Sequence, residues 1–260
     1  MQSLHTLEMT PDRPAIGTFV FSSDPASTEI AARAGFGLVV ADMEHAPLGM
    51  CDVMNHARAA QAAGVCCWAR IPAHGIDEIG RVLDTGVQGL VLPHFGLDLA
   101  RTRKALAAFR FPPAGTRGTC SVVRGLRYRL DDPAADLRAA DARILSVGLV
   151  EDKEAVENIE EIVALPGLDA VMPGGPGDLA ASLGLHGQGD HPAVRAAALR
   201  VVQAARTRTG LKVGMYLGNA DSAAFWRDMA LDFYVVSIDY RILEQGYASV
   251  HAAVTRQIAP

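Results

Sequence analysis

Short apolar runs recur along this chain, and most are followed by a longer stretch in which apolar residues return every three or four positions. An apolar run bounded by polar or turn-forming residues reads as a buried strand. The runs predict strands at Ile16–Val20, Leu38–Ala41, Cys66–Ile71, Gly89–Pro93, Ile144–Val150, Ala170–Met172, Val213–Leu217 and Tyr234–Ile238. Helical spacing marks Cys51–Ala63, Asp77–Thr85, Leu97–Phe109, Lys153–Leu165 and Pro192–Thr209. In Lys153–Leu165, for example, Val156, Ile159, Ile162 and Val163 form one stripe. Gly64, Gly86, Gly167 and Gly210 then read as left-handed C-caps that return the chain to the next strand. Strands alternating with helices imply parallel βαβ units, and eight of them predict an α/β fold of the (β/α)8 TIM-barrel type. An open doubly wound sheet is the other arrangement, but no G-x-G-x-x-G follows the first strand.

One segment breaks the rhythm. Residues 111–143 hold Pro112, Pro113, Gly115, Gly118, Gly125 and Pro133, with Arg117, Arg124, Arg127 and Arg129 among them. Long irregular stretches inside compact domains are functional or flexible. We read this one as an insertion over the barrel mouth, with a short helix near Asp132–Ala139, in a single domain covering residues 1–260. A solvated surface loop is the alternative.

Composition narrows the class. The 260 residues fit one barrel, which takes about 250. Half the residues are hydrophobic and 20% are charged, a globular balance. A net charge of -5 offers no basic face to nucleic acid. No apolar run approaches the roughly 20 residues that span a bilayer, and the N-terminus lacks the apolar core of a signal peptide. Cys51, Cys66, Cys67 and Cys120 show no C-x-x-C spacing and read as reduced thiols. The expectation is a cytoplasmic protein without nucleic-acid or membrane partners.

In a parallel barrel the C-terminal strand ends converge on one face, where active sites are built. Asp42, Glu44 and His45 follow the second predicted strand, and Arg70 closes the third. His94 follows the fourth, Glu151 and Asp152 the fifth, and Gly174-Gly175-Pro176-Gly177-Asp178 the sixth. Glu151 and Asp178 could form a hard-oxygen cation site suited to Mg²⁺ or Mn²⁺, or each could cap a helix. Arg70 could meet a substrate oxyanion or pair with Glu44. His45, beside two carboxylates, is the candidate general base. His5, His56, His74, His186, His191 and His251 read as structural, and His94 stays open. The lysines, Lys104, Lys153 and Lys212, fall in helices or at the opposite face, which argues against Schiff-base chemistry.

Taken together these stretches resemble the HpcH/HpaI aldolase family of metal-dependent pyruvate aldolases. The matching pieces are Gly35-Phe36-Gly37 leading into Asp42-Met43-Glu44-His45-Ala46-Pro47, then Ala69-Arg70-Ile71-Pro72 and Arg81 to Gly89. Phe111 to Gly118, Val150-Glu151 and Gly175 to Gly184 complete them. The likeness runs from about Ile16 to Leu243. It implies a (β/α)8 barrel whose last helix packs on a neighbouring subunit, in a homo-oligomer, with a hexamer the first choice. It implies a divalent cation on Glu151 and Asp178, Mg²⁺ or Mn²⁺ ahead of Co²⁺ or Zn²⁺. Gly175, Pro176 and Gly177 are implied as the substrate-binding turn, whose backbone N–H groups, on the two glycines, would help hold the pyruvate carboxylate. Arg70 would stabilise the enolate, with His45 as base and Asp42 and Glu44 behind it. Asp84 is implied as a partner of His45, but it ends a helix on the opposite face, so contact would have to cross a subunit interface. The implied reaction is reversible cleavage of a 4-hydroxy-2-oxo acid to pyruvate and an aldehyde. An oxaloacetate decarboxylase, a coenzyme A thioester lyase of the same superfamily and a non-catalytic barrel are the alternatives. Leu149, Ala180 and His94-Phe95 depart from the family pattern, which bears on substrate choice.

Overall fold

The computed structural model describes residues 7–259. Eight parallel strands close into a barrel in sequence order: β1 (Ala15–Val20), β2 (Leu38–Asp42), β3 (Cys66–Arg70), β4 (Gly89–Leu92), β5 (Leu145–Val150), β6 (Ala170–Pro173), β7 (Lys212–Leu217) and β8 (Phe233–Ile238). β8 pairs back onto β1, so the sheet has no free edge. The fold is a (β/α)8 TIM barrel, and each strand lies within two residues of its predicted bounds.

Strand side chains alternate between the lumen and the helical layer. Leu38, Val40, Trp68, Val91, Val147, Leu149, Met172 and Phe233 fill the lumen in one cluster. Val39, Ala41, Cys67, Ala69, Leu90, Val150 and Val171 face outward into the cluster shared with the helices. The lumen is filled by pairing large with small. Trp68 is in register with Gly89, where an added Cβ would stand 2.8 Å from the indole. The same alternation aims the residues that end β2 and β3, Asp42 and Arg70, inward at the C-terminal rim. They are register partners on neighbouring strands.

Several helices match their sequence signals, including Met50–Ala63 and Pro192–Arg206, and the four capping glycines all have positive φ. The stretch Lys153–Leu165 is two helices, Lys153–Glu157 and Ile159–Val163, rather than one. The break falls at Asn158, whose side-chain amide donates to the Glu154 carbonyl. An amide that competes for backbone groups favours such breaks. The apolar stripe survives it, with Val156, Ile159, Ile162 and Val163 all buried.

The insertion does not cover the barrel mouth. It joins the end of helix Leu99–Ala107 to the start of β5, and both points lie on the face where strands begin. Its helix, Pro133–Asp141, packs with Phe111 and Leu126 in a small separate cluster. Arg124 reaches the Gln61 side chain at 2.5 Å and the Ala57 carbonyl at 3.4 Å, near the C-terminal end of helix Met50–Ala63. It also meets the carbonyls of Thr85 and Gly86, after helix Ile79–Asp84. A cation at helix C-termini satisfies carbonyls left without partners there.

Two further expectations are met here. Burial pushes the Cys66 and Cys67 thiols up to about 12, which keeps them protonated. His56 is buried between the Thr28 hydroxyl and the Ser22 carbonyl, each at 2.8 Å. His5 lies outside the described residues.

Candidate active site

At the C-terminal rim a cavity of ≈ 200 Å³ is lined by Phe19, Phe21, His45, Arg70, Leu149, Glu151, Met172, Gly175, Gly177, Asp178, Tyr216, Gly218, Ile238 and Arg241. A cleft of ≈ 350 Å³ shares Tyr216 and Gly218 with it but contains none of Arg70, Glu151 and Asp178. The smaller cavity is therefore where the candidate chemistry lies.

Arg70 is held by geometry, not only by charge. Its Nε donates to Asp42 Oδ1 at 2.9 Å and its Nη2 to Asp42 Oδ2 at 2.5 Å, a two-point clamp. Glu44 stands 3.4 Å from Nε, and the guanidinium lies over the Phe19 ring at 4.6 Å. Asp42 is fully buried. Its Oδ1 also accepts from the backbone N–H groups of Glu44 (2.9 Å) and His45 (3.4 Å), which shapes the turn after β2. Asp42 is thus the clamp for Arg70 and the anchor of the His45 turn, a double role that its sequence neighbourhood did not reveal. His45 projects from that turn, half exposed, with Nε2 3.8 Å from Glu44. Burial raises the Glu44 pKa, against the opposing pull of Arg70 and His45.

Glu151 is 3% exposed and accepts from the His94 backbone N–H at 2.9 Å. Burial pushes its pKa up to about 7, and the nearby charges of Asp178 and Glu44 push the same way. Asp178 lies in the first turn of helix Pro176–Ser182, and its carboxylate makes no hydrogen bond or ion pair with any described residue. The helix-cap alternative therefore does not describe it. Two carboxylates close enough to raise a pKa, one without a partner among the described residues, fit a hard divalent cation. Among the described residues no group of three or more His, Cys, Asp or Glu forms a complete cage, so a cation held by these two carboxylates would need further oxygens from water or substrate.

Gly174 makes room for this arrangement. A Cβ there would overlap Glu151 Cβ and stand 2.9 Å from both Glu151 Cα and Oε2. Gly174→Ala should therefore displace the Glu151 carboxylate. We expect at least tenfold weaker Mn²⁺ binding by isothermal titration; unchanged binding would show that Glu151 can give way without consequence.

The remaining candidates are placed as follows. His94 sits at the rim in a left-handed conformation (φ 48), with Nδ1 3.1 Å from Asp152. Asp84 lies on the opposite face, 2.8 Å from Arg117, and does not line the cavity with His45. No lysine lines the cavity; Lys104 pairs with Asp77, Lys153 with Glu157 and Lys212 with Asp232. Phe19, Tyr216 and Arg241 were not singled out from the sequence. The inward-facing end positions of β1 and β7 could have identified the first two.

The sequence profile of the HpcH/HpaI aldolase/citrate lyase family matches residues 15–243. A hydroxypyruvate/pyruvate aldolase of Paraburkholderia phytofirmans is 31% identical over 232 residues, 87% of each chain. A 4-hydroxy-2-oxo-heptane-1,7-dioate aldolase of Salmonella arizonae is 32% identical over 242 residues, covering 92% of this chain and 90% of the relative. A crystal structure of a family protein from Burkholderia cenocepacia superposes with a TM-score of 0.84 at 32% identity, covering 94% of this chain and 95% of that one. The match runs from the first strand into the last helix: the chain belongs to the HpcH/HpaI aldolase/citrate lyase family and is a carbon–carbon lyase of the aldolase type.

Proposed function

We propose that this enzyme reversibly cleaves 4-hydroxy-2-oxo acids to pyruvate and an aldehyde. The observation that carries the reading is the convergence of Arg70, His45, Glu151 and Asp178 on one cavity. Relatives named for aldol chemistry on hydroxypyruvate, pyruvate and a hydroxy-oxo-heptanedioate support it. Glu151 and Asp178 would hold a divalent cation. When bound, that cation supplies positive charge beside the 2-oxo group and favours enolate formation.

The chain's own residues do the rest. His45 accepts the proton of the 4-hydroxyl, the C3–C4 bond breaks, and the electron pair moves onto the pyruvate fragment as an enolate. Arg70, fixed by Asp42, presents its guanidinium to the enolate oxygen without having to reorganise. Backbone N–H groups of Gly175 and Gly177 orient the substrate carboxylate. The proton held on His45 is returned to C3 through water, which releases pyruvate and resets the base.

The test is pyruvate release from a 4-hydroxy-2-oxo acid and from oxaloacetate, with chelator and after Mn²⁺ is restored. Cleavage of the hydroxy-oxo acid should be lost with chelator and should return with Mn²⁺. Activity confined to oxaloacetate would replace an aldolase with a decarboxylase. The raised Glu151 pKa adds a pH signature. Below about 7 a cation must displace a proton, so Mn²⁺ affinity should fall as pH drops from 8 to 5.5. Without the cation, stability present below the ordinary glutamate range is lost as pH rises through about 7, because the charge is then buried. The gain in melting temperature from Mn²⁺ should therefore be larger at pH 8 than at pH 5.5; an equal gain would contradict it.

The last helix, Asp239–Ile258, has no buried residue. Tyr240, Leu243, Tyr247, Val250 and Val254 lie exposed at three- and four-residue spacing along it. An apolar stripe of this length is covered in an oligomer. We expect light scattering to give an assembly, with a hexamer as the first choice; a 27.5 kDa monomer would contradict this.

A further inference from the structure

A backbone outlier touches Glu151 and has no role in the chemistry above. β4 ends at Leu92, and Pro93 then interrupts the ladder because it carries no N–H. His94 follows with φ 48, a left-handed conformation that few side chains other than Asn, Asp and His enter. In an extended chain successive N–H groups point to opposite sides. Here two successive groups reach β5. The His94 N–H donates to Glu151 Oε1 at 2.9 Å, and the Phe95 N–H donates to the Leu149 carbonyl at 2.9 Å. Glu151 Oε2 makes no hydrogen bond with any described residue. The turn at His94 therefore decides which oxygen of the carboxylate is held and which stays free.

The His94 side chain holds that turn. Facing a carboxylate, its Nδ1 carries the proton and donates to the two Asp152 oxygens at 3.1 and 3.3 Å, while Nδ1 stands 3.9 Å from Glu151 Oε1. The imidazole grips the residue after Glu151, not Glu151 itself. Asp152 is the N-cap of helix Lys153–Glu157, where an aspartate ordinarily accepts an N–H of the first turn. Its side chain caps nothing there and turns to His94 instead. A backbone outlier persists only where its surroundings over-determine it. Phe95 adds to the restraint by packing on Gly148, where an added Cβ would stand 2.4 Å from the ring.

We propose that His94 is a positioning residue for the divalent cation: pinned by Asp152, its side chain holds the left-handed turn that presents the His94 N–H to Glu151 and so fixes the carboxylate for binding. This rests on the reading that Glu151 and Asp178 hold the cation. It gives the imidazole no contact with substrate, in keeping with a cavity that His94 does not line.

Calorimetric titration of the full chain with Mn²⁺, after chelator treatment, tests this without reference to turnover. His94→Ala should weaken Mn²⁺ binding about tenfold to hundredfold, as expected when a group that orients a metal ligand is lost. His94→Gly and His94→Asn keep the N–H and accept a positive φ, so each should bind at least about threefold more tightly than His94→Ala. Asp152→Ala should weaken binding in the wild-type background but change it less than about twofold in the His94→Ala background, because the two side chains act as one. Other roles for the imidazole give other results. A protonated ring acting only through its charge repels a cation, so His94→Ala would tighten Mn²⁺ binding. A merely structural ring would lower the melting temperature of the cation-free protein on removal and leave the Mn²⁺ affinity unchanged. Either result overturns the proposal. So does equal weakening by Ala, Gly and Asn, or an effect of Asp152→Ala that is the same in both backgrounds. If the wild-type protein binds Mn²⁺ and His94→Ala binds it equally well, this proposal falls alone. If the wild type binds none, the cation reading falls and takes this one with it.

Discussion

Glu151→Gln should reduce turnover at least a thousandfold and weaken Mn²⁺ binding at least a hundredfold, while making the cation-free protein more stable at pH 8. The two effects have one cause. Burial makes the Glu151 charge costly, and Asp178 and Glu44 add repulsion. A pKa moved from 4.5 to about 7 means the charged form costs the cation-free fold about 3 kcal/mol at pH 8. Glutamine keeps the shape and can still accept from the His94 N–H, but it carries no charge. It should remove the cost together with the cation affinity. A residue that is merely structural would lose stability on this change, so the opposite signs separate the roles. Chemical denaturation with chelator at pH 8 and Mn²⁺ titration read the two. Loss of stability with retained Mn²⁺ affinity would reject the assignment.

Arg70→Lys should suppress pyruvate methyl exchange about a hundredfold to a thousandfold, the effect of removing a preorganised oxyanion donor. Lysine keeps the positive charge but cannot hold both oxygens of Asp42 and still present a further donor in a fixed plane. Arg70→Ala is the poorer test. It leaves the fully buried Asp42 carboxylate without its partner, which costs about 3–5 kcal/mol and confounds catalysis with folding. If Arg70→Lys exchanges pyruvate at the wild-type rate, the guanidinium is only a partner for Asp42 and Glu44.

Much of the fold was legible because barrel strands, buried on both faces, stand out as apolar runs between glycines and charges. What eluded pattern reading depended on partners distant in sequence. Arg70 and Asp42 meet because Leu38 and Cys66 set a register that carries both to the rim. Nothing local to either residue signals a two-point clamp. The arginines of the insertion drew attention as mouth residues, yet connectivity alone assigns a helix-to-strand loop to the opposite face. Glu151 and Asp178 were legible as carboxylates after neighbouring strands. That Gly174 is required beside Glu151, and that Tyr216 and Arg241 share the cavity, needed the barrel closed on itself.

The most direct measurement is anomalous diffraction from crystals grown with Mn²⁺ and pyruvate. One strong peak per chain is expected, within about 2.0–2.3 Å of a carboxylate oxygen from Glu151 and another from Asp178, with pyruvate oxygens beside it. A peak elsewhere, or no peak while pyruvate density fills the cavity, would contradict the central claim.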